Sequence, residues 1–92
     1  MPSVQVTASA ENTFTDEIHA PSEQRLSVSV SGTFSATVTV QRKLDGENWR
    51  DYTTYTSASE ATYHADEDCQ LRIGIKTGDY TSGSAVCRLG RN

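Results

Sequence analysis

Three sets of side chains in this chain have types that could do chemistry. Asp66, Glu67 and Asp68 are consecutive acids, and Asp45 or Asp79 could join them around a Ca²⁺ ion. Adjacent residues of an extended chain point in opposite directions, however, and the spacing of an EF-hand loop is missing. A solvated acidic turn is therefore expected, with no metal site. His19 and His64 are the two histidines, and neither belongs to a GxSxG or HExxH motif. Both read as surface or rim residues. Cys69 and Cys87 have no CxxC or CxH neighbour, which argues against zinc. No acid, base, nucleophile or metal set converges, so the chain reads as non-enzymatic, with no catalytic residue and no cofactor.

Recognition chemistry is what remains. Tyr52, Tyr55, Tyr63 and Tyr80 are candidates for a sugar-stacking or protein-binding surface, because each ring carries both an apolar body and a hydroxyl. Tyr52 and Tyr55 are separated by an odd number of residues, so a regular strand exposes one of them. Tyr80 follows Gly78 and Asp79 at an expected loop tip. The loop from Lys76 to Ser82, with Lys76 and Asp79 as rim charges and Tyr80 as anchor, is the favoured partner-binding site, with Tyr52 as a further contact. The bland alternative folds Tyr80 back over the end of its own domain.

The elements that position these residues are strands. From Leu26 to Gln41, apolar residues hold the even positions and small polar ones most of the odd positions, a period of two that marks half-buried antiparallel sheet. Ser31-Gly32-Thr33 then either closes a hairpin, setting Val30 against Phe34, or carries the chain from one sheet to another. Asp45-Gly46 is a strong turn dipeptide. A loop from Asp45 to Asn48 sets Leu44 across from Trp49 and Arg42 across from Asp51. Trp49, the single tryptophan, is expected in the core on the face of Val38 and Val40. Glu11 to Glu23 reads as a long connection, with room for one helical turn, anchored by Phe14 and Ile18.

A last hairpin is expected from Cys69–Lys76 and Thr81–Leu89. With Lys76 to Tyr80 as its loop, Ile75 faces Thr81, Ile73 faces Gly83, Leu71 faces Ala85 and Cys69 faces Cys87. The two cysteines are then neighbours, either as buried thiols or as a cross-strand disulfide. About seven strands at roughly ten-residue spacing give the fold class: all-β, a small antiparallel β-sandwich, immunoglobulin-like or jelly-roll-like, forming a single domain over residues 1–92.

Composition sets bounds on function. The 92 residues are 35% hydrophobic, enough for one thin core. The formal charge of −4 argues against nucleic acid. No apolar run approaches the ~20 residues of a membrane span, and Met1-Pro2-Ser3 lacks the basic residues of a signal peptide.

Two segments carry a family resemblance. Ser31 to Trp49 (SGTFSATVTVQRKLDGENW) and Arg72 to Ser84 (RIGIKTGDYTSGS) resemble small virion proteins of tailed bacteriophages. In those, a GTxxxTVTxQRSxDGxxW strand-turn-strand precedes an RxGxKTGDYTSG hairpin. Lys43 departs from the pattern's small residue, and the cysteines lie outside it. The resemblance implies a non-enzymatic virion structural protein, most simply a capsid decoration or minor head protein docking on repeated capsid sites. Its partners would be the major capsid or other virion proteins, and it would be homo-oligomeric or present in many copies. Its location would be the virion, assembled in the host cytoplasm. The alternative is a tail- or neck-associated adaptor, or a carbohydrate-binding module using the tyrosines and the Asp-Gly-x-x-Trp turn.

Overall fold

In the computed structural model, which describes residues 3–43, 48–65 and 67–91, the alternating stretches become strands of two antiparallel sheets. In chain order they are β1 (Ser3–Ala8), β2 (Thr13–Phe14), β3 (Ile18–Ala20), β4 (Arg25–Ser31), β5 (Phe34–Lys43), β6 (Arg50–Tyr55), β7 (Ser59–His64), β8 (Cys69–Gly83) and β9 (Ala85–Arg91). Sheet A has the order β1-β9-β4-β7. Sheet B has the order β2-β8-β5-β6, with β3 also paired to β8. The architecture is a two-sheet antiparallel sandwich, as the alternation requires.

The period-two faces meet between the sheets. Sheet A contributes Leu26, Val28, Val30, Cys87 and Leu89, and sheet B contributes Val38, Val40, Leu71, Ile73 and Ile75, all buried. Each such aliphatic side chain contributes roughly 1.5–3 kcal/mol when fully withdrawn from water.

Several expectations are corrected. The described residues form nine strands rather than about seven, because residues 11–23 include β2 and β3 instead of a helical turn. The backbone of this segment has partners on β8: Thr13 pairs with Ile75, and the Thr15 N–H donates to the Ile73 carbonyl at 2.9 Å. At Ser31-Gly32-Thr33 the chain crosses between sheets, since β4 lies in sheet A and β5 in sheet B.

The last hairpin does not form. β8 continues through residues 76–80 and keeps pairing with β5, from Lys43 opposite Gln70 to Phe34 opposite Gly83. Between the pairs Val38–Ile75 and Ala36–Tyr80 it accommodates Lys76, Thr77, Gly78 and Asp79 as a bulge opposite Thr37. β9 then enters sheet A between β1 and β4. Cys69 therefore pairs with Ala20, while Cys87 pairs with Val6 and Val30. The cysteines lie in different sheets, both buried free thiols.

Candidate interaction surface

Among the described residues, the one hairpin that joins consecutive strands is β5–β6, and its register differs from the expected one. Gln41 pairs with Asp51 and Arg42 with Arg50, after a shift between Val40 and Gln41 that leaves Tyr52 without a partner. The turn residues Asp45 and Gly46, singled out above as structural, fall outside the described residues, as does Asp66. A bulge re-aims a side chain, and Tyr52 is the exposed large hydrophobic residue, at 48%. Its ring stands edge-on to the buried Tyr63 ring, with centroids 4.8 Å apart, and the Arg42 guanidinium lies 5.3 Å from its centroid. Tyr55 points inward and packs on the core. The odd separation of the two tyrosines did predict one in and one out.

Tyr63 ties this corner to the interior. Its hydroxyl accepts from Arg42 Nη1 at 3.4 Å and lies 3.6 Å from Cys69 Sγ. Burial raises its pKa, opposed by the Arg42 hydrogen bond.

Trp49 is not core. It is half-buried outside the strands, with Lys43 Nζ 4.8 Å and the Arg72 guanidinium 4.5 Å from its ring centroid. Both cations belong to outward positions of β5 and β8, so the ring covers the outer face of sheet B. The strand containing Thr53 and Tyr55 begins one residue after Trp49, and the bulge breaks the alternation that would have carried the indole inward.

Arg72 is the hub of that face. Its guanidinium also lies 4.2 Å from the Phe14 ring, and its Nε donates to Gln41 Oε1 at 2.8 Å. Gln41 Nε2 donates to Asp51 Oδ1 at 2.9 Å, and Lys76 Nζ reaches Asp51 Oδ2 at 2.7 Å. Lys76 and then Gln41 hold the Asp51 pKa below the ordinary carboxylate value, while burial lowers that of Arg72. Lys43 pairs with Glu17 at 3.2 Å. Phe14, Gln41, Lys43, Trp49, Asp51, Arg72 and Lys76 thus form one connected band. Arg72 and Gln41 had no assigned role in the sequence, although their parity already placed them on the outer face.

The favoured loop is rearranged. Lys76 is committed to Asp51. Tyr80 is half-buried against the core, its hydroxyl donating to the Gly83 carbonyl at 3.0 Å, which is the folded-back alternative. Asp79 lines a shallow depression with Ser35, Thr37, Thr56 and Thr81. The Gly78 N–H donates to Glu11 Oε1 at 2.7 Å, which pins the bulge.

The remaining candidates stand apart from one another. His19 lies 3.3 Å from Gln70, and His64 pairs with Glu23 at 3.5 Å. Asp68 accepts from the Ser22 N–H at 2.6 Å. Among the described residues, no three His, Cys, Asp or Glu side chains gather as a metal site. Among the described residues, no helix is long and apolar enough to cross a membrane.

Comparison with known proteins finds no match to a family model, to a curated protein or to a solved structure.

Proposed function

We propose that this chain is a non-enzymatic structural protein of a tailed-bacteriophage particle, docking in many copies on repeated capsid sites. The observation that carries the reading is the meeting of the two resembling segments. Residues 31–49 and 72–84 are far apart in sequence, yet they form the paired strands β5 and β8 at the centre of sheet B. Arg72 of the second segment bonds Gln41 and contacts Trp49 of the first. The shared pattern therefore describes one continuous surface rather than two unrelated turns.

The chemistry of that surface suits adhesion. Aromatic residues and arginine are enriched in the centres of protein interfaces. Trp49 and Arg72 lie on the outer face of sheet B, and the exposed Tyr52 ring stands beside Arg42 and Tyr63 on the edge strand β6 that adjoins it. Tyr52 replaces Tyr80 as the proposed anchor. Each docking contact is small, and repetition over a capsid lattice supplies avidity.

The test is stoichiometry. Particles produced by the phage encoding the chain are purified on a density gradient and digested, and the chain is quantified against the major capsid protein. A capsid decoration gives hundreds of copies per particle. Absence from the particle overturns the reading, and six or twelve copies move the chain to the neck or tail.

A further inference from the structure

Sheet edges carry unpaired N–H and C=O groups, and folded proteins guard them with charge, proline, bulges or short length. The described edges differ in this respect. β6 carries Arg50, Asp51 and the Tyr52 bulge. β7 carries Glu60 and His64. β2 and β3 are two and three residues long. β1 has none of these devices. It is six residues, Ser-Val-Gln-Val-Thr-Ala, with no charge and no proline, and it pairs with β9 without a register shift.

Burial points the same way. Val4 and Val6 face the interior, opposite Leu89 and Cys87 of β9, which are 0% exposed. The two valines themselves are only half-buried. The apolar layer is thus incomplete along the open flank of β1.

We infer that β1 pairs with β1 of a second copy of this chain, joining the two sheets A into one eight-stranded sheet. An antiparallel pair on a two-fold axis normal to the sheet must set inward residues opposite inward residues. Centring the axis on Gln5 does so over Ser3–Thr7. Val4 then faces Val6 of the second copy, Ser3 faces Thr7, and Gln5 faces Gln5. Like charges never meet, because β1 has none. Centring on Val6 would instead place Val4 against Ala8, which is already 0% exposed and has no surface to gain. One strand pair is a small interface, so the free protein associates weakly and the contact gains strength from repetition on a surface.

Single cysteines read this register directly. Gln5, Ser3 and Thr7 are exposed, so replacing them leaves the fold intact, and the native thiols are buried. Directly opposite residues of an antiparallel pair have Cα atoms about 4.5–5.5 Å apart, within the Cα separation that a disulfide spans. Four residues of offset add about 14 Å. Under mild oxidation, Gln5→Cys should form a covalent dimer on a non-reducing gel. Ser3→Cys and Thr7→Cys should stay monomeric alone and cross-link when mixed. A Gln5→Cys protein that remains monomeric overturns the inference. So does cross-linking of Ser3→Cys alone as readily as of Gln5→Cys. The experiment uses purified chain without particles, so its outcome is separate from that of the virion reading.

Discussion

Gly32 and Gly83 each sit against the other's crossover between the sheets. A Cβ on Gly32 would lie 2.5 Å from the Ser84 carbonyl oxygen, and one on Gly83 would collide with the Thr33 carbonyl and lie 2.6 Å from Phe34 Cα. Both have positive φ, 100° and 86°, and the Ser84 N–H donates to the Thr33 carbonyl at 3.0 Å. The β4–β5 and β8–β9 links are thereby locked as a pair. Gly83→Ala combines a left-handed backbone cost of about 1–2 kcal/mol with overpacking of about 1–3 kcal/mol. Urea unfolding should show a loss near 3 kcal/mol, and a loss under about 0.5 kcal/mol would contradict the packed crossover.

These glycines also show where the sequence stops being legible. Alternation from Leu26 to Val40 and from Cys69 to Ile75 identifies strands and their inward faces, because a period of two needs no long-range information. It does not say which strand lies beside which. Ile75–Thr81 and Val30–Phe34 satisfy hairpin parity as well as sandwich parity, and nothing local at residues 76–80 separates the two. The bulge at Lys76–Asp79 depends on β5 remaining alongside, which local turn chemistry does not reveal. Arg72 was missed for a related reason: its partners Phe14, Gln41 and Trp49 come from three other segments.

Trp49→Ala should fold. The indole covers the outer face of sheet B and fills no place between the sheets, so its loss removes partial burial and two cation–π contacts, each worth about 0.5–1 kcal/mol at an exposed site. A far-UV spectrum like that of the parent, with a melting temperature lowered by several degrees, is expected. Failure to fold would return Trp49 to the core.

Cys69 and Cys87 should be silent towards an aromatic disulfide reagent in the native protein and react fully, two thiols per chain, in guanidinium. Burial pushes the Cys87 thiol up to about 11, so little thiolate exists at neutral pH. Fast native reaction would show that the sandwich opens. A covalent Cys69–Cys87 bond on mass analysis would contradict their placement in separate sheets.

The Lys76–Asp51 pair gives a pH signature with a definite sign. The folded-state Asp51 pKa is lowered, so the pair stabilises the fold above the unfolded carboxylate range and ceases to as pH falls through the folded value. Both side chains are well exposed, 39% and 48%, so the effect is small and weakened by salt. Asp51→Asn should lower the melting temperature at about pH 7 and leave it near the parent value at about pH 2. An equal difference at both pH values would mean that the Gln41 contact, not the charge, matters.

Tyr63→Phe should cost about 1 kcal/mol, because the Arg42 and Cys69 contacts of the hydroxyl are lost while the ring stays packed. Tyr52→Ala should cost comparably little, since that ring is largely exposed. Thermal melts of the two variants check both statements.

The most direct measurement of the docking claim adds purified chain to particles made without it and follows co-sedimentation. The parent protein should saturate the particles at hundreds of copies. Tyr52→Ala, still folded with a melting temperature lowered by only several degrees, should bind at least about tenfold more weakly, a difference of about 1.4 kcal/mol per site. No sedimentation of the parent with particles, or equal binding by the variant, would contradict docking through this surface.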